Sequence, residues 1–347
     1  MKYEILGQGF VTQRKSNTAT AVAAGPRCAV TVQNELVCTY MVQSALGTND
    51  FVPVLSRSKD AGETWTEEGP LWPRLRSKLS IFGSVSHSSA GQLFFYGTRT
   101  PIDLPGEKFW SEATQGLKPN ELFWARSADA GATWTEPIVI PMPIPGAAEA
   151  PGAMCITHTG RWLVCYSPYN TFDPDTAVDR SQVVILYSDD QGKSWAHTSM
   201  FRFQEAGSGA AEAWVIELTD GRLLGSCWHL DYTNGKEYPN PYSLSFDRGT
   251  TWQSPQSTGI VGQSTGLACL PDGRALLAYN QRRHGKLGVW LAVANPQNGQ
   301  FGLIANEIIW TAETTTQSDS SAEHRANGKT SLSVNLPSRF FPTAHFW

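Results

Sequence analysis

The chain alternates between short apolar runs and turn-forming clusters, and helical periodicity is almost absent. Leu163-Val164-Cys165-Tyr166 and Val183-Val184-Ile185-Leu186-Tyr187 are representative runs, rich in β-branched and aromatic side chains. Runs of this length and composition, bounded by Gly, Asp and Ser, predict strands. Two kinds of turn separate them. One is a G-turn: A-G-Q-L at Gly91, T-G-R-W at Gly160, D-G-R-L at Gly221 and D-G-R-A at Gly273, with Q-N-E-L at Asn34 in the same place. The other is an octapeptide: S-K-D-A-G-E-T-W ending at Trp65, S-A-D-A-G-A-T-W at Trp134, S-D-D-Q-G-K-S-W at Trp195 and S-F-D-R-G-T-T-W at Trp252.

The octapeptide aspartates Asp60, Asp129, Asp190 and Asp247 are 69, 61 and 57 residues apart. Each unit therefore reads as strand, G-turn, strand, long loop, strand, octapeptide turn, strand. Four strands per unit at this period predict the blades of a β-propeller. The reading is all-β and six-bladed, one domain over residues 1–347, with the last blade incomplete. Blades fall at about 26–69, 79–140, 149–203, 210–256 and 262–310. The octapeptide has a structural logic. Its Asp accepts hydrogen bonds from its own turn, its Gly supplies an angle other residues avoid, and its Trp buries a large ring. Four equivalent copies cannot all be one catalytic centre.

S-x-D-x-G-x-[TS]-W is similar to the Asp-box, or BNR repeat, of the sialidase superfamily. A decayed copy, A-N-P-Q-N-G-Q-F ending at Phe301, fits the fifth unit. The resemblance spans residues from about 26 to 310 and implies a propeller whose chemistry sits on the face opposite the Asp-boxes. The loops expected there run from Thr98 to Glu121, Tyr166 to Gln182 and His229 to Tyr242. Their aromatics Phe109, Trp110, Tyr169 and Tyr232 are candidates for sugar stacking.

Composition narrows the class. With 41% hydrophobic residues and a formal net charge of −4, the chain has core material and no basic footprint for nucleic acid. No run of eighteen apolar residues predicts a membrane span. The N-terminal M-K-Y-E-I-L-G-Q-G-F lacks the apolar segment of a secretory signal, which predicts a cytoplasmic location. Six cysteines in strand-like runs read as buried thiols, and the Cys28/Cys38 and Cys155/Cys165 pairs each read as neighbouring strands of a hairpin. No metal or organic cofactor is expected.

The resemblance also implies site residues. Sialidases hold a carboxylate with three arginines and use an Asp acid/base and a Tyr–Glu nucleophile. Arg27, in Gly25-Pro26-Arg27-Cys28, stands where the first arginine belongs, although the usual F-R-I-P is reduced to G-P-R-C. Asp50 stands at the acid/base position. Glu212 stands at the catalytic glutamate, in Glu212-Ala213-Trp214-Val215-Ile216-Glu217. The second arginine is replaced by Trp228, followed by His229, which puts sialic acid in doubt because an aromatic ring cannot make a bidentate carboxylate contact. Arg282 or Arg283 fits the third arginine. Arg99 and His229 are expected to line the pocket. Glu149 begins the third unit as Glu212 begins the fourth, and some non-sialidase glycosidases with this propeller use two such glutamates. No tyrosine follows Tyr279, so the nucleophilic Tyr is missing.

Residues 326–347 carry neither turn motif. Reading each codon's third base with the next two permits W-K-D-F-S-F-G-E-P-S-V-T-F-F-P-D-G-T-L-L, which restores a P-D-G turn. The tail is thus expected to be out of frame from about Asn327, with Tyr3 to Val11 pairing with the sixth blade. The leading functional reading is a sialidase-like glycoside hydrolase acting on a terminal sugar of a glycan or glycoside. The alternatives are a non-catalytic carbohydrate- or protein-binding propeller and an inactive truncated member of the family.

Overall fold

A computed structural model describes residues 9–311. Five four-stranded antiparallel blades are present among them, which corrects the expected six. The count of six came from dividing chain length by repeat length, which assigned a blade to a stretch carrying neither turn motif. The readings for residues 326–347 and for most of Tyr3–Val11 lie outside the described residues.

Blade one contains Val22–Val30, Leu36–Gln43, Val52–Ser58 and Thr66–Pro70. Blade two contains Leu79–His87, Leu93–Pro101, Glu121–Ser127 and Ile138–Ile140. In blade three the inner strand is split into Ala147–Glu149 and Cys155–Ile156, followed by Trp162–Tyr169, Gln182–Ser188 and Ala196–Arg202. Blade four contains Ser208–Glu217, Leu223–Asp231, Pro241–Ser245 and Gln256–Ser257. Blade five contains Gln263–Cys269, Ala275–Gln281, Gly288–Ala294 and Leu303–Thr311. In each, strands follow chain order from hub to rim, so the G-turns and Asp-boxes share one face.

The Asp-boxes behave as structural turns. Asp60 Oδ1 accepts from Ser58 Oγ and the Thr64 N–H at 2.8 Å each, and Oδ2 accepts from Thr64 Oγ1 at 2.5 Å. The pattern repeats at Asp129, Asp190 and Asp247. These bonds favour the ionised carboxylate and hold Asp60, Asp129 and Asp190 at about 2, against an ordinary 3.8. Arginines then bolt one blade to the next on this face. Arg57 donates to Ala130 O at 2.8 Å, Arg161 to Arg248 O at 3.0 Å and Arg222 to Pro296 O at 3.0 Å.

The core lies between blades. Phe94, Tyr96 and Trp124 of blade two pack on Trp162, Val164 and Tyr166 of blade three, with the Trp124 and Trp162 rings 4.9 Å apart, edge to face. Blades three and four meet through Leu163, Ile185, Met200, Val215 and Leu223.

Candidate active site

Regular pairing of the inner strands breaks at the hub. The register jumps between Ala24 and Arg27 in blade one, between Ala211 and Trp214 in blade four, and between Gln263 and Gly266 in blade five. Such bulges re-aim side chains next to functional sites. Gly25 and Glu212 take the same place in their bulges, and both are left-handed, with φ of 61° and 56°. Glycine adopts this freely, whereas a glutamate there is strained and needs its surroundings to hold it.

The neighbour that holds it is Glu149, whose Oε2 accepts the Glu212 backbone N–H at 2.8 Å. Glu149 ends the first piece of blade three's split inner strand. Asn120 fixes that piece, donating from its amide nitrogen to Ala148 O and accepting the Ala148 N–H on its amide oxygen, both at 2.9 Å. Beyond it, Gly152 lets blades three and four close together, since a Cβ there would lie 2.3 Å from Ala213 O. Thr265 Oγ1 donates to Glu212 O at 2.8 Å and ties in blade five. The two carboxylates therefore lie within one side-chain length and one hydrogen bond of each other, on a backbone fixed from three sides.

Across the hub, the Arg27 guanidinium lies over the Trp214 ring, 5.3 Å from its centroid. Its Nη1 donates to Pro26 O at 2.8 Å. Burial lowers the Arg27 pKa from its ordinary value, opposed by the nearby Glu212 and, more weakly, Glu149.

A cavity of about 820 Å³ takes in the hub and extends along the faces of blades one and five, and Arg27, Glu149, Glu212 and Arg282 all line it. Among the described residues, Lys118 and Glu217 complete its charged lining, three cations against three carboxylates. Lys118 Nζ reaches Asp103 Oδ2 at 2.7 Å and Glu107 Oε1 at 2.6 Å. The loops of the first three blades are knitted into one wall by Asn49 N–H to Glu107 O at 2.7 Å, Phe109 N–H to Gly47 O at 3.3 Å and Leu117 N–H to Asn170 O at 2.9 Å. Phe109 presents its ring within that wall.

The other residues singled out from sequence lie elsewhere. Asp50 is half-buried and does not line the cavity, although its neighbours Asn49 and Phe51 do. Its oxygens accept the Ser44 N–H at 3.3 and 3.2 Å. Arg99 pairs with Glu121 at 2.8 Å. His229 is buried between Phe203 and Tyr238, at 4.2 and 4.5 Å between centroids, and bonds Ser208 Oγ through Nε2. Burial pulls its pKa down to about 4. Trp228 is flanked by Arg282 and Arg283, 5.7 and 5.8 Å from its centroid. Arg283 sits 3.5 Å from Glu237, a buried carboxylate that also takes Gln263 and His284. Trp110, Tyr169 and Tyr232 pack on one another, with centroids 6.4 and 5.4 Å apart.

Asn120, Lys118 and Trp214 were not singled out from sequence as site residues. Asn120 and Lys118 sit in the irregular loop of blade two, where no period fixes direction. Trp214 was hidden inside the apolar inner strand, and only the bulge turns it toward Arg27.

Similarity to known proteins agrees with this architecture. The chain superposes on a protein of unknown function from Dyadobacter fermentans with a TM-score of 0.68 and 20% identity, over 88% of this chain and 86% of that one. A Hadza microbial sialidase gives 0.61 and 20%, over 85% of this chain and 60% of that one. The Penicillium chrysogenum alpha-L-arabinanase, in complex with arabinobiose, gives 0.59 and 18%, over 83% and 82%. The chain thus spans less than two thirds of the sialidase. At these identities the likeness establishes the fold. No curated protein matches the chain. The family model for the BNR repeat-like domain matches residues 106–313, more than half of the chain, and with the Asp-boxes and radial blades in view the chain belongs to that family.

Proposed function

We propose that the chain is a glycoside hydrolase that removes a neutral terminal sugar, with Glu149 and Glu212 as its pair of catalytic carboxyls. The observation that carries this reading is the hydrogen bond that the Glu212 N–H donates to Glu149 Oε2, between two residues that both line the cavity. Glycosidic cleavage needs one carboxyl to protonate the leaving oxygen. It needs a second to attack the anomeric carbon or to activate water. The separation of the two carboxyls sets which of these follows, the shorter spacing going with direct attack.

The neutral class follows from charge. A substrate carboxylate needs uncompensated guanidiniums. Arg27 has Glu212 and Glu149 beside it, and Arg283 has Glu237. Trp228 stands where a sialidase would have its second arginine. The arabinanase neighbour, which holds a neutral disaccharide, supports the same choice.

The test is a panel of 4-nitrophenyl glycosides of neutral pentoses and hexoses beside a sialic acid glycoside, run on the wild type, Glu149→Gln and Glu212→Gln. Turnover of a neutral member that both variants lose supports the proposal. Turnover of the sialoside alone, or turnover that survives both substitutions, overturns it. Azide rescue of Glu149→Ala and Glu212→Ala then distinguishes the two roles, since the glycosyl azide is inverted where the attacking carboxylate has been removed and retained where the acid/base has been removed.

A further inference from the structure

Cys28 and Cys38 face each other on the first two strands of blade one. The Thr31 N–H donates to Glu35 O at 2.9 Å, which marks Thr31/Glu35 as a hydrogen-bonded pair. Antiparallel pairs alternate, so Ala29/Val37 is hydrogen-bonded and Cys28/Cys38 is not. Opposite residues in a pair of the second kind have Cα atoms about 4.5 Å apart. That distance falls within the range a disulfide spans, about 4.4–6.8 Å. Both side chains lie on one sheet face, and both line the cavity. Of the other cysteines, Cys155 faces Leu163, Cys165 faces Ile185 and Cys269 faces Ala275.

We propose that Cys28 and Cys38 form an oxidisable dithiol on the cavity-lining face of blade one, closing to a cross-strand disulfide next to Arg27. The oxidant is a peroxide or a small disulfide. With oxidised glutathione, the Cys28 thiolate attacks one sulfur, displaces one glutathione thiolate and leaves a mixed disulfide. The Cys38 thiolate then attacks the Cys28 sulfur, releases the second glutathione and closes the ring. Two protons and two electrons leave the protein, and one glutathione disulfide becomes two thiols. Cys28 attacks first because it is half-buried, while Cys38 is fully buried.

The experiment treats the folded, reduced protein with oxidised glutathione or hydrogen peroxide, alkylates the remaining thiols and maps peptides by mass spectrometry. The expected product is a Cys28–Cys38 bridge lacking two hydrogens, reversed by dithiothreitol, with the other four cysteines alkylated. In Cys38→Ser, glutathione should remain on Cys28. On the wild type, phenylarsine oxide, which bridges close thiol pairs, should protect both residues from alkylation together. Full alkylation of Cys28 and Cys38 after oxidant in the wild type overturns the proposal, as does a bridge between other cysteines. Neither wild-type arm depends on the variant folding or on glycosidase activity.

Discussion

Glu149 of blade three accepts the backbone N–H of Glu212 in blade four at 2.8 Å, so a side chain from one blade holds the strained backbone of the next. The bond joins two inner-strand residues 63 positions apart, one at the break in the split strand of blade three and one in the bulge of blade four. Replacing either carboxyl by its amide should lower turnover of a neutral glycoside about 10²–10⁴-fold. The double variant should lose little more than the worse single one, since the two act as a unit. Steady-state rates of the three variants check this, with circular dichroism confirming the fold.

Asn120→Ala removes both bonds that clamp Ala148, one residue before Glu149. We expect kcat to fall about tenfold or more with KM little changed, because a small misplacement of a reacting group is expensive. Stability should drop by about 1–2 kcal/mol for the lost bonds. Asn120→Asp keeps the acceptor and should lose less. A KM that rises while kcat holds would place Asn120 in substrate binding instead.

His229 is held neutral by burial, with its pKa pulled from 6.5 to about 4. Between those values the unfolded chain binds a proton that the native state refuses. The contribution is therefore complete above 6.5 and is lost as pH falls toward about 4. Melting temperatures measured across that window should decline more steeply for the wild type than for His229→Gln. Parallel slopes would remove His229 as a cause.

The Asp-box carboxylates act over a lower window. Asp60, Asp129 and Asp190 are depressed from 3.8 to about 2, so their contribution is present above the first value and disappears toward the second. Acid unfolding followed by tryptophan fluorescence should fall largely within that interval. The Asp60→Asn, Asp129→Asn, Asp190→Asn triple variant should begin from a lower stability at pH 7 and show a shallower acid limb.

The Asp-boxes were legible because each is a local device. Its Ser, Asp, Gly and Trp bond within eight residues, so spacing alone carries the geometry. Glu212, Glu149 and Arg27 were legible as inner-strand positions, but Arg27 and Glu212 lie within Val22–Val30 and Ser208–Glu217, at bulges, rather than at the strand starts expected of them. Asp50 and His229 were placed by their distance along the chain from other motifs. Where a loop side chain points depends on its neighbours, and these two serve the Ser44 N–H and the Ser208 hydroxyl.

The sequence by itself determined the blade pattern, its turns and the glutamates at the hub, because strand period and turn chemistry are written over short distances. Only the tertiary structure decided that five blades are present among the described residues. It alone brought Glu149 to Glu212 and Arg27 to Trp214. Those relations arise from bulges, from a split strand and from close approach between sheets, and each depends on how far a neighbouring backbone stands away, which no run of residues encodes locally.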